Sequence, residues 1–260
     1  MDMHKKIMSW IGLFLCFTGS GFAQLDEGFE NATECCNETE CCAEATPSIN
    51  GKIDLGPAYV HVDILLKGHT DRKMDMGGVR GDFNYRIWKG LVIKPTFLYA
   101  RGNHKDEVCT GGVGLGFCLP YKQCFCFTPV VGINWGHLKT TIMVPAYFVN
   151  PHADPTAVTI ESQTFRSSSP YTGFEFSYSF LTNWRIVLNY QYSWSRTRTK
   201  IRKVLVSKEH SKGSNYSFLL EYDLNDHWSI NLGGAYNCSL SKEKHGLRAY
   251  GYKLGLAYWF

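Results

Sequence analysis

The chain has 260 residues, of which 15% are aromatic, 25 are glycine and 10 are cysteine, and its mean hydropathy is -0.20. A formal net charge of +4 is nearly neutral for this length and excludes bulk nucleic-acid binding. After residue 20 no apolar run is long enough for a membrane-spanning helix, so the aromatic content has to be read through its alternation.

Residues 1–23 carry a short basic region (His4, Lys5, Lys6), an apolar run from Ile7 to Phe17 and small residues at Gly19, Ser20, Gly21 and Ala23. This pattern predicts a secretory signal peptide cleaved after Ala23, with Gln24 opening the mature chain. Phe14 and Leu15 stand where a lipoprotein signal before Cys16 would want a small residue. Removing the segment takes away Asp2, Lys5 and Lys6, so the charge falls from +4 to +3; Cys16 leaves too, and nine cysteines remain. In an oxidising compartment an odd count leaves one thiol free or bonded to another molecule.

Residues 24–50 are acidic (Asp26, Glu27, Glu30, Glu34, Glu38, Glu40, Glu44), lack periodicity and contain Cys35-Cys36 and Cys41-Cys42. Such a segment cannot bury a core and is expected as a periplasmic tail. A disulfide between adjacent cysteines is strained, so these four are disulfide candidates with partners elsewhere in the chain or in other molecules. Zinc-type C-x2-C spacing with histidine ligands is missing here, and no metal site or cofactor is expected.

From residue 51 to 260 the chain alternates with period two, which predicts an all-β, transmembrane, antiparallel up-and-down β-barrel of about ten strands. The first strand, 54–66, is read with Ala58, Val60, Val62, Ile64 and Leu66 outward and Tyr59, His61 and Asp63 inward. The second, 74–88, sends Val79, Phe83, Tyr85 and Ile87 to lipid and Arg80, Asp82, Asn84 and Arg86 inside; the third, 91–101, directs Lys94 and Thr96 inside. The fourth, 109–119, alternates Val113, Leu115 and Phe117 with glycines. The fifth runs from Gln123 past Lys139, and 142–165 is read as a hairpin that either continues strands five and six beyond the membrane or folds into the lumen. Strands six to nine cover 171–180, 184–200, 213–223 and 227–240, with Glu175, Arg185, Glu221 and Asp223 inward. Short connections (88–90, 120–122, 181–183, 223–227) alternate with longer ones (67–73, 102–108, 140–169, 201–212, 241–246), which assigns the tight turns and both termini to the periplasm.

The predicted lumen lining is Arg80, Asp82, Arg86, Lys94, Glu175, Arg185, Glu221, Asp223 and Lys253. Mixed charge in a narrow barrel means either a closed, salt-bridged interior or a small aqueous pore. Arg196, Arg198, Lys200 and Arg202 continue the outward parity of Tyr190, Tyr192 and Trp194, which points them at lipopolysaccharide phosphates above the aromatic girdle; a solvated basic loop or an acidic host glycan are the other readings. Lys242, Lys244 and Arg248 share that parity on a neighbouring hairpin. Cys118, Cys124 and Cys126 fall on the inward parity at the periplasmic end, with Cys118 expected opposite Cys124. No catalytic residues are expected: His61 with Asp63 sits mid-strand, while His104 with Asp106 and Glu107, and His210 with Glu209, lack an opposing acidic pair.

The tenth strand, 247–260, alternates most regularly. Phe260, Tyr258, Leu256, Leu254, Tyr252 and Tyr250 share one face, and Trp259, Ala257, Gly255, Lys253, Gly251 and Ala249 the other. A terminal phenylalanine preceded by hydrophobic residues at alternate positions, here Phe260, Tyr258, Leu256, Leu254 and Tyr252, resembles the assembly signal of bacterial outer-membrane β-barrels. That resemblance implies insertion by the barrel-assembly machinery into the outer membrane of a Gram-negative envelope. The cysteine usage, with Cys35-Cys36 and Cys41-Cys42, resembles that of chlamydial envelope proteins, where disulfide-linked outer-membrane proteins replace much of the peptidoglycan scaffold. The resemblances imply a non-enzymatic barrel with a structural role, disulfide-linked to other cysteine-rich envelope proteins. The alternatives are a small porin-like channel, or an adhesin acting through 140–169 and 196–212.

Overall fold

The computed structural model describes residues 50–260 apart from 122, 123, 147–153, 155 and 203, all within the compact unit Thr46–Phe260. The expected signal peptide and all four tail cysteines lie outside the described residues. Strands follow one another as β1 Gly51–Leu66, β2 His69–Trp88, β3 Leu91–Gly102, β4 Glu107–Phe117, β5 Leu119–Tyr121, β6 Phe125–Pro145, β7 Val158–Leu181, β8 Trp184–Ile201, β9 Val204–Asp223, β10 Trp228–Ser241 and β11 Gly246–Trp259. β4 and β5 are two pieces of one stave, interrupted at Cys118, and both pair with β6. Ten antiparallel staves result, each bonded to its sequence neighbours, and β1 closes the ring on β11 from Lys52↔Trp259 to Leu65↔Gly246. Closure pairs the backbone polar groups across the whole span, which is what lets strands cross hydrocarbon.

Much of what reads as long connections in the sequence is strand. β2 already starts at His69 and is joined to β1 by Lys67-Gly68, both at positive φ (51° and 83°), as a two-residue hairpin turn with the twist of its strands requires. β6 and β7 pair as far as Pro145↔Val158, and β8 and β9 as far as Ile201↔Val204. On the flanks, β4 leaves β6 at Glu107↔Lys139 and β10 leaves β9 at Ser241↔Ser211. The segment expected as a hairpin beyond the membrane or folded inward is therefore part of a four-stranded blade, β6 to β9, that projects past the rest of the barrel. Thr140, Thr141, Ile142, Val144, Thr159 and Ile160 supply β-branched residues that suit an extended backbone.

The expected inward and outward faces are found on every strand except the first. In β1, Ile53, Leu55 and Tyr59 are exposed, while Val60, Val62 and Ile64 are 9%, 4% and 6% exposed and lie inside the barrel. Ala58, expected outward, shares that inner parity, and His61 and Asp63 face outward. Both faces of this strand are apolar enough for lipid, so hydrophobicity leaves its parity open. Register decides it: Val60 and Val62 stand opposite Met76 and Met74 of β2, whose outward residues include Val79 and Tyr85.

Candidate functional site

The lumen divides into a charged half next to the termini and an apolar half near the far hairpins. In the charged half, Lys253 Nζ lies 2.8 Å from Asp54 Oδ2 and 2.9 Å from Asp82 Oδ2. Arg80 donates to Asp82 from Nε (3.1 Å) and Nη2 (3.0 Å), and Lys94 Nζ is 2.6 Å from Glu175. Glu221 pairs with Lys52, accepts from Ser229 Oγ at 2.7 Å and sits 3.7 Å from Arg185, which also reaches Asp223 at 3.4 Å. Lys52 Nζ and the Arg185 guanidinium lie 4.7 and 4.8 Å from the centre of the Trp259 ring, whose indole N–H donates to Ser229 Oγ at 3.1 Å. Eight of the nine residues expected to line the lumen are brought into these clusters. The ninth, Arg86, stands exposed at the mouth without an ion-pair partner among the described residues. Charges confined between close walls need such partners, because desolvation of each ion costs several kcal/mol on the order-of-magnitude scale.

These clusters surround a cavity of about 640 Å³ lined among others by Lys52, Asp82, Lys94, Glu175, Glu221 and Lys253. Beside it, Asp54 Oδ1 and both polar side-chain atoms of Asn231 are buried with no hydrogen-bond partner among the described residues. Asp54 Oδ1 and Asn231 Oδ1 each lie 2.5 Å from where a Cβ on Gly255 would stand, so the glycine keeps open a polar niche of the kind that holds water.

Toward the far hairpins the chemistry changes. Val60, Val62, Ile64, Met74, Met76, Ala100, Val108 and Leu138 form one buried cluster, and Leu98, Phe165, Leu247 and Ala249 pack against it. Seven staves contribute, so the cluster reaches across the bore. Arg72 caps it by donating to Thr141 O and to Asp106 Oδ1 (3.0 Å), which also accepts from Thr140 Oγ1 at 2.5 Å. Hydroxyl groups line the remaining wall, with Ser169 and Ser195 oxygens 2.6 Å apart and those of Ser211 and Ser239 2.9 Å apart.

At the mouth near the termini, the structure joins Cys118 to Cys126, not to Cys124. The register explains this correction: Pro120 faces Cys126 and Tyr121 faces Phe125, which carries Cys124 beyond the reach of Cys118. All three cysteines border the cavity.

On the outward face, aromatics give way to cations along several strands. β8 continues from Tyr192 and Trp194 into exposed Arg196 and Arg198. Arg198 stands opposite Arg166 of β7 and Lys208 of β9, and Arg196 opposite His210. Arg166, Lys208, His210 and Lys212 are exposed as well. The other two expected contacts differ: Lys200 is half-buried beyond a register shift, and Arg202 occupies the turn at φ 48°, its Nε 3.1 Å from Glu161. His61 also belongs to the outward face, with Nδ1 2.7 Å from Asp75, Nε2 3.2 Å from Asp63 and its ring stacked on Tyr250 at 4.6 Å. That side chain therefore points away from the lumen into which the sequence reading had placed it.

A model of the Protochlamydia outer membrane protein family, Pom, matches residues 96–253, which spans β3 to β11 and most of the chain. The chain belongs to the Pom family. It is accordingly an outer-membrane protein, and its fold is a ten-stave barrel. Among solved structures it is similar to the outer membrane protease OmpT of Escherichia coli (13% identity, 86% of this chain and 99% of that one, TM-score 0.48). It is also similar to the translocator domain of the autotransporter NalP of Neisseria meningitidis (9%, 94% and 97%, 0.45) and to the attachment invasion locus protein Ail of Yersinia pestis (9%, 82% and 100%, 0.39). No curated protein matches the chain.

Two groups in this Pom protein escape the sequence reading. Met74 and Met76 carry the inward parity of Arg80 and Asp82, and the inverted first strand hides the fact that Val60 and Val62 stand beside them. Lys208, His210 and Lys212 share the parity of Tyr216 and Phe218, a signal masked by treating 201–212 as loop.

Proposed function

We propose that this Pom protein is a structural component of the envelope, a barrel closed at rest and linked through its tail cysteines to other cysteine-rich envelope proteins. The observation that supports closure is the apolar cluster built from Val60, Val62, Met74, Met76 and Leu138 across the far half of the bore. An apolar constriction of this kind opposes wetting and hence ion passage. The paired charges in the other half support a packed interior. Cys35, Cys36, Cys41 and Cys42 are the linking residues in this reading. The protein has no catalytic role here, because His61, Asp63 and Asp75 face away from any substrate in the lumen. The barrel-assembly machinery inserts it, and Arg196 and Arg198 hold lipopolysaccharide phosphates around it. Electrophoresis of native envelopes without reductant tests the role: reductant-sensitive oligomers that vanish when the four tail cysteines are replaced by serine are expected. A monomer indifferent to reductant would overturn it.

A porin-like channel is the second reading, supported by the cavity of about 640 Å³ and by the exposed Arg86 at its mouth. Single-channel recording separates the two.

A further inference from the structure

The projecting blade repeats one order of side chains on its outward face. Along β6 the aromatic Trp135 is followed by His137 and Lys139 and then by Met143; along β9, Phe218 and Tyr216 by Lys212, His210 and Lys208 and then by Val206, where the register shifts; along β7, Phe174 by Arg166 and then by Ile160 and Val158. The first tier belongs to the barrel's own membrane and the second is cationic. The third is a second apolar tier beyond the cations. Met143 (74% exposed), Val158 (67%) and Ile160 (66%) are more exposed than the lipid-facing aromatic and aliphatic side chains of the barrel. Met143 and Ile160 are cross-strand partners, as are Pro145 and Val158, so the tier is continuous, and Ile142 to Ala146 carry no charge.

From the tier outward the barrel's own bilayer is no longer available, because the cations separate the tier from the aromatic girdle. No carboxylate stands on this face among the described residues of β6 to β9: Glu161 and Glu209 carry the opposite parity. Glu161 is moreover matched to Arg202. A protein partner would have to supply both an apolar patch and a row of acids in this order. A lipid surface with anionic headgroups has that layering by nature, charge outside and hydrocarbon a few ångströms beneath.

We propose that the outward face of the blade docks on a second, apposed bilayer that carries anionic lipid. Met143, Val158, Ile160 and Val206 enter the boundary between headgroups and acyl chains, about 5–10 Å deep as for other interfacial elements. Lys139 and Lys208, exposed and next along the strands, meet the phosphates. The surface thereby bridges the outer membrane to a membrane outside the cell. This does not depend on whether the lumen conducts or the tail is cross-linked.

The experiment uses the full mature protein in nanodiscs, mixed with vesicles of phosphatidylcholine alone or with phosphatidylglycerol added, and reads co-flotation. Binding confined to the anionic vesicles is expected, falling about tenfold or more in Met143→Asp/Ile160→Asp and also at high salt. Both positions face water, so the barrel should fold normally, as read by heat-modifiable migration. Lipopolysaccharide binding by the same variant should be unchanged, which separates this docking from contacts with the barrel's own leaflet. No preference for anionic vesicles, or vesicle binding indifferent to the two aspartates, would overturn the proposal. So would a nanodisc-to-nanodisc association that those aspartates abolish, since the occupant would then be a second copy.

Discussion

Glu221 shows at the scale of one residue how the interior is held. It is 1% exposed, and its two oxygens meet Lys52, Ser229 and Arg185, the two cations lying 4.7 and 4.8 Å from the centre of the Trp259 ring. Replacing it by Gln keeps the shape but leaves Lys52 with no carboxylate partner, and Arg185 with Asp223 alone, among the described residues. Breaking a buried pair from one side costs about 3–5 kcal/mol. Glu221→Gln should therefore lose about 3 kcal/mol of stability, measured as a lower urea midpoint for the lipid-embedded barrel; an unchanged midpoint would mean that the pair is not needed. Glu221 was legible from parity alone. Lys52 was not, because the first strand was begun two residues after it, and Trp259 was legible as inward but not as the ring that two cations approach. A side chain's face follows from its position in the strand, whereas its partners depend on staves distant in sequence, here β1, β8 and β11.

Among the elements, β8 and β1 mark what alternation can and cannot deliver. Strands with polar residues on one side, such as β8 with Arg185, Asn189 and Gln191 against Leu188, Tyr190 and Tyr192, read unambiguously. β1 has Val60, Val62 and Ile64 on one side and Leu55, Pro57 and Tyr59 on the other, so only pairing with its neighbours fixes its orientation. Strand lengths were under-read for a related reason: threonine, serine and cation-rich segments such as 196–212 resemble loops in polarity, yet they alternate and pair. The same element yields a graded prediction for lipopolysaccharide. Arg196 and Arg198 are exposed and continue the line of Trp194, whereas Lys200 is half-buried and Arg202 is engaged by Glu161. A basic residue near an anionic surface contributes about 1 kcal/mol. Alanine at both Arg196 and Arg198 should thus weaken lipopolysaccharide binding about tenfold or more, and alanine at both Lys200 and Arg202 distinctly less. Equal losses from the two pairs, measured by titration of the refolded protein, would remove the distinction.

Considered as a whole molecule, the barrel combines a charge-lined cavity with an apolar constriction on the same axis, and conduction depends on which of the two controls the bore. Water entering between Met74, Met76 and Leu138 would find no hydrogen-bond partner on that wall, although serines line the other side. Such a boundary holds a narrow bore dry until its apolar half is made polar. The refolded protein should therefore be silent in a planar bilayer, while Met74→Ser/Met76→Ser/Leu138→Ser should give discrete conductance steps. Heat-modifiable migration distinguishes a folded variant from a failed one, and the milder Met76→Ala/Leu138→Ala pair widens the constriction without adding polarity. Steps from the serine variant alone would assign closure to dewetting, whereas steps from both variants would assign it to bulk. Discrete steps from the unaltered protein would overturn the closed reading. The exposed Arg86 at the mouth and the partnered Lys94 and Glu175 within would then become the groups to reverse in order to locate its ion selectivity.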